Sequence, residues 1–309
     1  MPNTSRTKIL VLLAAHNGKH WIHEQINSIL NQVDVAVALI IRDDQSSDRT
    51  LEELQKHAAD TRITITVAHK ASGSAAQNFF SMIRDRPADG FDMVALSDQD
   101  DIWQRDKLAR ASRMLARTGA DGYSSATIAL WPNGRTRVIA LNARQNSSDF
   151  LFEGAGQGCT FVITRTLYED IRQYLIRNPN LTAKIHYHDW AIYAMARAWQ
   201  KYWIFDPLPT MYYRQHEHND TGARGSLAAA VDRFAKIRSG WYARQIANIT
   251  HLCVSAAPQD PRLAAWNALY TQVHGPRRTV GLLRFCLLAG RRRFRDNLAL
   301  LSAVLLGWL

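Results

Sequence analysis

The chain carries only three cysteines, Cys159, Cys253 and Cys286, far apart and without CxxC spacing. That excludes a disulfide framework and a cysteine zinc site, and fits free buried thiols in a reducing compartment. No stretch reaches the ~20 apolar residues of a membrane span. Internal repeats and low-complexity linkers are absent. The turn after the first apolar run offers one glycine, Gly18, and Lys19, not the glycine-rich basic loop that cradles a triphosphate. That counts against a sugar nucleotidyltransferase. Acid is scarce at the C-terminal end, where residues 277–309 hold seven arginines and one aspartate.

What is there begins with charge. The 309 residues carry a formal net charge of +11 and are 47% hydrophobic. The length allows one large domain or two modest ones, with a sizeable core. The excess of base calls for an anionic partner: nucleic acid, anionic lipid or a phosphorylated substrate. A nucleic-acid-binding protein would interleave its basic residues with aromatics on one surface. Here they concentrate in an apolar terminal segment instead, which argues against nucleic acid.

Apolar runs alternate with helical patterns along the first third. Residues 8–15 look like a short signal segment, but His16-Asn17-Gly18 follows without a cleavage site, so the run reads as a first buried strand. Residues 21–30 place Ile22, Ile26, Ile29 and Leu30 at helical spacing. Residues 35–41 form a second strand, ending in Arg42-Asp43-Asp44-Gln45-Ser46. A helix follows near residues 49–58, a third strand over 62–68, a loop through Lys70 and Gly73, and a helix through Asn78. A fourth strand over 91–97 runs into Asp98-Gln99-Asp100-Asp101-Ile102-Trp103, and residues 107–116 are the next helix. Four strand-helix repeats predict a doubly wound parallel sheet.

The pattern then changes. Residues 123–130 and 136–141 predict a hairpin, and 145–158 a polar, glycine-bearing mobile loop. A strand over 159–164, helices over 165–176 and 188–199, and short strands over 202–205 and 210–213 follow. From about residue 225 only helices are expected, over 227–255, 261–273 and 279–309.

Three carboxylates within four positions repel one another and ask for a cation. At the C-terminal edge of an open α/β sheet, where ligands bind, oxygen donors of this kind suit Mg²⁺ or Mn²⁺. A solvated acidic turn capping the next helix is the alternative.

Five motifs in order resemble the family 2 glycosyltransferases of the GT-A fold, and more narrowly their bacterial rhamnosyltransferase-like members. They are Ala15-His16-Asn17-Gly18, Asp43-Asp44-Gln45-Ser46, Asp98-Gln99-Asp100-Asp101-Ile102-Trp103, His188-Asp189-Trp190 and Tyr213-Arg214-Gln215-His216. The resemblance covers about residues 6–222. It implies a GT-A catalytic domain over 1–222, with a nucleotide-binding half over about 6–118 and an acceptor half over about 119–222, and a C-terminal helical region over 223–309. The α/β fold would be a mixed sheet flanked by helices.

The resemblance further implies an inverting, metal-dependent transfer of a sugar from a nucleotide diphosphate donor to an acceptor hydroxyl, in the synthesis of a bacterial surface polysaccharide. Ala15, His16, Asn17, Asp43 and Asp44 would line the base and ribose pocket, with an Asx-turn plus helix cap over Asp43–Asp48 as the other reading. Asp98 and Asp100 would form the D-x-D pair, Asp100 binding Mn²⁺ or Mg²⁺ directly and Asp98 contacting the donor's ribose or, through water, the metal, and His216 would complete the metal shell. Lys70, Gly73, Asn78 and Arg214 would contact the donor. Asp101 is either a helix cap or a ligand, and Trp103 leans to core.

Asp189 would be the general base, with an N-cap as its other reading. Many relatives have Glu-Asp where this chain has His188-Asp189, and Gly-Asn-Asn where it has Glu217-His218-Asn219. The D-Q-D-D-I-W form favours dTDP-rhamnose, with UDP- and GDP-sugars open, and a glycan or lipid-linked glycan as acceptor. The basic and apolar blocks of residues 279–309, with Phe294, Leu298, Leu301, Leu305 and Trp308 entering the interface, suit a monotopic helix on an anionic membrane. The other reading is a helix packed on the catalytic domain or on a second subunit. The expected location is cytoplasmic, peripheral on the inner face of the bacterial plasma membrane.

Overall fold

The computed structural model describes residues 6–141, 144–216 and 234–309. It divides into two compact units: Met1–Leu141 with Gly156–Asn178 and Lys201–Asn219, and Asn142–Ala155 with Pro179–Gln200 and Asp220–Leu309. This division differs from the sequence boundary at 222/223, because the segment bearing Asp189 groups with the C-terminal helices.

The first unit holds every described strand. The strands are β1 (Thr7–Ala15), β2 (Val35–Asp43), β3 (Ile63–Val67), β4 (Met93–Ser97), β5 (Ile102–Trp103), β6 (Gly122–Leu130), β7 (Thr136–Ile139), β8 (Val162–Thr164) and β9 (Trp203–Arg214). The sheet order is β3-β2-β1-β4-β8-β6-β9-β5, with β7 paired to β6. The β3-β2-β1-β4 half is parallel, and β8 and β5 run antiparallel to their neighbours. A wholly parallel sheet therefore gives way to the mixed one. Helices α1 (Ile22–Leu30), α2 (Thr50–Gln55), α3 (Ala75–Asp85), α4 (Lys107–Thr118) and α5 (Arg165–Arg177) belong to the same unit. Continuous burial of Ile9 to Leu13 on β1 reflects a central strand covered on both faces.

Register decides the edge that matters. Ala15 pairs with Asp43 and Leu13 with Ser97, so the turns after β1, β2 and β4 emerge side by side. A cavity of about 410 Å³ lined by Arg6, Lys8, Asp92, Thr164 and Arg165 lies at the opposite ends of β1 and β4 and takes none of the motif residues.

The two short strands expected over 202–205 and 210–213 are one strand, β9. Pro207 and Pro209 lack the N–H a ladder needs, and the pairing with β6 absorbs them through register shifts. Asp206 sits at that irregularity, fully buried, accepting from Arg110 Nε at 2.5 Å, the Tyr123 hydroxyl at 2.8 Å and the Leu208 N–H at 3.0 Å.

The second unit contains α6 (His188–Ala198), α7 (Trp241–Ala256), α8 (Pro261–Thr271), α9 (Pro276–Ala289) and α10 (Phe294–Leu305). Helix α6 is buried almost all round, from Trp190 through Ala196. The start of the helix expected over 227–255 lies outside the described residues.

Two expectations are corrected here. The single helix over 279–309 is broken at Gly290. Asn297, packed against Gly290, donates to the Cys286 carbonyl at 3.0 Å and accepts the Arg291 N–H at 3.0 Å, closing one helix and opening the next. A side chain at Gly290 would collide with Asn297 and the Cys286 carbonyl. The loop over 145–158 is not an open flap either. Asp149, Phe150, Leu151 and Phe152 are all buried, the first three in a 3-10 turn. Among the described residues no helix is long and apolar enough to cross a membrane.

Candidate active site

The motif turns interlock through side chains that bond to backbone. Gln99 grips the turn after β1 from both sides: its Oε1 accepts the His16 N–H at 2.7 Å and its Nε2 donates to the His16 carbonyl at 2.8 Å. Gly18 leaves the room for this, since a Cβ there would overlap the Gln99 carboxamide. Asn17 takes a left-handed φ of 53° and accepts the Ser47 N–H through Oδ1 at 2.8 Å. Ala15 is buried, and its carbonyl accepts the Asp44 N–H at 2.8 Å.

Asp43 and Asp44 are buried and shape these loops. Asp43 accepts from the Ser46 hydroxyl at 2.5 Å and the Ser46 N–H at 3.1 Å, three residues on, one position past the spacing of an Asx-turn. Asp44 Oδ1 accepts the Ser72 N–H and hydroxyl, both at 2.8 Å, drawing the Lys70–Gly73 stretch to the same edge. Lys70 is exposed there, and Gly73 adopts φ 86° with open space around it. Asn78 is buried on α3 and donates to the Arg42 carbonyl at 3.4 Å.

The acidic turn is anchored from α1 and from the end of β9. Gln25 Nε2 donates to Ser97 Oγ at 2.7 Å, which donates to the Asp98 carbonyl at 2.9 Å. Arg214 donates to the Asp100 carbonyl at 3.0 Å and pairs with Glu24 at 2.6 Å. His216 Nε2 meets Asp100 Oδ2 at 2.7 Å, and its ring stacks on Trp21 at 4.2 Å with 9° between planes. The structure thus brings Asp100, Arg214 and His216 together and commits the Arg214 guanidinium to protein partners, while the Asp98 carboxylate groups with Asp101 and Cys159 rather than with His216.

Asp101 neither caps α4, whose N-cap is Asp106, nor faces solvent: it is 1% exposed. Burial pushes its carboxyl well above the carboxylate range, and Asp100 and Asp98 push the same way. Its carboxylate, that of Asp98 and the Cys159 thiol offer atoms within 4.8 Å of one another. Burial also drives the Cys159 thiol up, and a thiol held protonated is a poor metal ligand. Behind them Trp103 is core, its ring 3.7 Å from the Lys107 amine, which burial pulls down to about 7.

In the second unit, Asp189 lies in the first turn of α6, its Oδ1 accepting the Trp190 N–H at 2.6 Å. It is not the N-cap, which is Tyr187. His188 beside it is buried, and burial drops its imidazole to about 3, so it is neutral in the fold.

Sequence reasoning missed Trp21, Glu24, Gln25 and Gln99 as supports. Gln99 lay inside the motif and carried a signal; Glu24 and Gln25 on α1 and Trp21 at its N-cap read as an ordinary helix.

The profile of Glycosyl transferase family 2 matches residues 10–172, more than half the chain. This chain belongs to that family. It is 38% identical over 242 residues to the dTDP-rhamnosyl transferase RfbG of Shigella flexneri, covering 77% of this chain and 83% of that protein. It is 30% identical over 162 residues to WfgD of Escherichia coli, a UDP-Glc:alpha-D-GlcNAc-diphosphoundecaprenol beta-1,3-glucosyltransferase, covering 52% and 61%. In fold it is similar to S. aureus TarS 1–349, solved with UDP-GlcNAc, at TM-score 0.54 and 16% identity over 92% of this chain and 82% of TarS. A second such neighbour is the mannosyltransferase PcManGT from Pyrobaculum calidifontis, solved with GDP-Man and Mn²⁺, at TM-score 0.51 and 16% identity over 98% of this chain and 85% of PcManGT. As a family 2 member the protein is a glycosyltransferase with the GT-A architecture.

Gly18→Ala and Gln99→Ala should each cost about 1–3 kcal/mol, by releasing the His16 backbone pair. Because they break one interaction, denaturant melts of the double variant should show no larger loss than the worse single. For His188, the unfolded imidazole takes a proton below pH ~6.5 while the folded one does not. Stability should therefore fall on acidification, by about 2 kcal/mol between pH 7 and pH 5. Urea midpoints of His188→Leu at the two pH values should show that slope reduced.

Proposed function

We propose that this family 2 glycosyltransferase moves a sugar, rhamnose by preference, from a nucleotide diphosphate donor to an acceptor hydroxyl with inversion. The observation that carries the reading is the 2.7 Å contact between Asp100 and His216 at the edge where β1, β2 and β4 end. Asp100 and His216, a carboxylate and an imidazole in contact, are donors that suit Mn²⁺, and Asp98 would reach the ion or the ribose from the same turn. When bound, the ion supplies charge neutralisation for the donor's diphosphate.

This chain's own residues do the rest. Gln99 and Arg214 hold the acidic turn in place. Ala15, His16, Asn17, Asp43 and Asp44, with the Lys70–Gly73 loop and Asn78 behind it, form the nucleotide edge. Asp189 takes the proton of the acceptor hydroxyl as that oxygen attacks the anomeric carbon. Identity of 38% to RfbG over 77% of the chain supports dTDP-rhamnose as donor, and the GlcNAc-diphosphoundecaprenol acceptor in the name of WfgD supports a lipid-linked glycan as acceptor.

The peripheral membrane contact also belongs to this proposal, on an apolar set that differs in part from the expected Phe294, Leu298, Leu301, Leu305 and Trp308. Val280, Leu287 and Leu288 on α9 and Phe294, Leu298 and Leu305 on α10 are large exposed apolar side chains. Arg277, Arg284, Arg293 and Arg295 are exposed among them, whereas Leu301 and Trp308 are half-buried. That composition fits the headgroup layer of an anionic bilayer.

Assayed against a panel of nucleotide sugars with Mn²⁺ or Mg²⁺, the protein should prefer dTDP-rhamnose. Asp189→Asn should lose turnover by about a hundredfold or more, on the scale of general-base catalysis, and still bind donor. Asp100→Ala should lose both turnover and metal response; a metal response undiminished in that variant would refute the ligand set. In flotation assays the protein should ride with phosphatidylglycerol vesicles at low salt, leave them at high salt, and ignore phosphatidylcholine. Equal binding to both lipids would sink the electrostatic part.

A further inference from the structure

The arginine block that reads as a lipid anchor is split by burial. Arg291 and Arg292 have side chains 18% and 7% exposed, while Arg293 and Arg295 are open to solvent. A guanidinium that serves a headgroup keeps its charge in water. One that is buried has to be paired.

Their partners lie on the turn over residues 149–154. Arg292 donates from its backbone N–H to Glu153 Oε1 at 2.6 Å, from Nη1 to Asp149 Oδ2 at 2.8 Å, and from Nη2 to the Gly154 carbonyl at 2.6 Å. Arg291 reaches Glu153 at 3.4 Å and donates to the Tyr242 hydroxyl at 3.3 Å. That hydroxyl donates onward to the Phe152 carbonyl at 2.6 Å.

The other side of the same turn bears on α6. The Trp190 indole N–H donates to the Phe150 carbonyl at 2.7 Å. A Cβ at Gly154 would press on the Trp190 backbone at 3.3 Å. Asp149 also accepts from Arg197 at 3.1 Å and from the Tyr193 hydroxyl at 3.0 Å, both on α6. Trp190 follows Asp189 directly and donates its N–H to it. The α9–α10 junction, the 149–154 turn and the first turn of α6 form one bonded stack within the second unit.

We infer that Arg291 and Arg292 are positioning residues for the transfer reaction, setting the first turn of α6, and with it Asp189, through the 149–154 turn. The inference rests on the proposed role of Asp189. It gives the C-terminal helices a part in turnover that does not depend on any membrane.

The test uses the full chain in detergent-free buffer without lipid. Arg292→Met should lower kcat at least tenfold per folded molecule, with donor binding by calorimetry within twofold of the parent. Arg292→Lys should recover part of kcat. Arg295→Met, removing an exposed neighbour, should change neither. If Arg292→Met does not fold, Tyr242→Phe serves instead and should lower kcat about threefold at unchanged donor binding. Unchanged kcat in the folded Arg292→Met, or in Tyr242→Phe where that variant stands in, overturns the inference, as does loss of kcat and donor binding in equal measure. Failure of the base assignment is seen separately: Asp189→Asn would then keep its turnover. An inactive Asp189→Asn beside a fully active Arg292→Met refutes only the positioning role.

Discussion

Containment of three carboxylates in one short turn is the constraint on which this structure depends. Asp98, Asp100 and Asp101 repel one another, and nothing in the turn's own sequence offsets that. The chain answers each acid differently. Asp101 is buried, where its protonated form is favoured. Asp100 faces His216, and its backbone carbonyl is held by Arg214. The Asp98 carbonyl is tied through Ser97 to Gln25. Burial disfavours the charge on one acid, and Asp98 and Asp100 are the two the proposed cation would answer.

That economy explains the supports that gather on α1. Trp21, Glu24, Gln25 and Ser28 recur along one helix and bear in turn on His216, Arg214, Ser97 and the Trp103 N–H. The helix packs on the sheet through Ile22, Ile26 and Ile29 and shows the acidic turn its polar residues. It is a scaffold element with a second task. Gln99 adds a tie to the β1 turn, so two loops from parallel neighbours hold each other.

The strands were legible because a buried parallel sheet writes itself as apolar runs. The family was legible because five motifs recur in order. The supporting residues were not, because each acts across a long separation that periodicity does not encode: Gln25 to Ser97, Glu24 to Arg214, Gln99 to His16. The 145–158 segment misled for the same reason. Asp149 and Glu153 look like loop residues until their arginine partners arrive from the far end of the chain. The strand break over 206–209 misled because two prolines normally end a strand, and only the Asp206 contacts make the bulge tolerable.

The arginine block shows why charge counting alone could not assign that end of the chain. A buried guanidinium is a liability unless carboxylates and carbonyls meet it in good geometry, and breaking such a group by removing one partner costs more than the group contributed. Burial raises the Asp149 carboxyl even with Arg197 and Arg292 beside it. Its ionised form therefore depends on both guanidiniums. Losing Arg292 would favour protonation of Asp149 and slacken its hold on Arg197 and Tyr193, which sit on the helix that begins with His188 and Asp189. Arg293 and Arg295, a few residues away, are exposed rather than buried. One basic run thus divides by depth, its buried part bracing α6 and its exposed part facing outward.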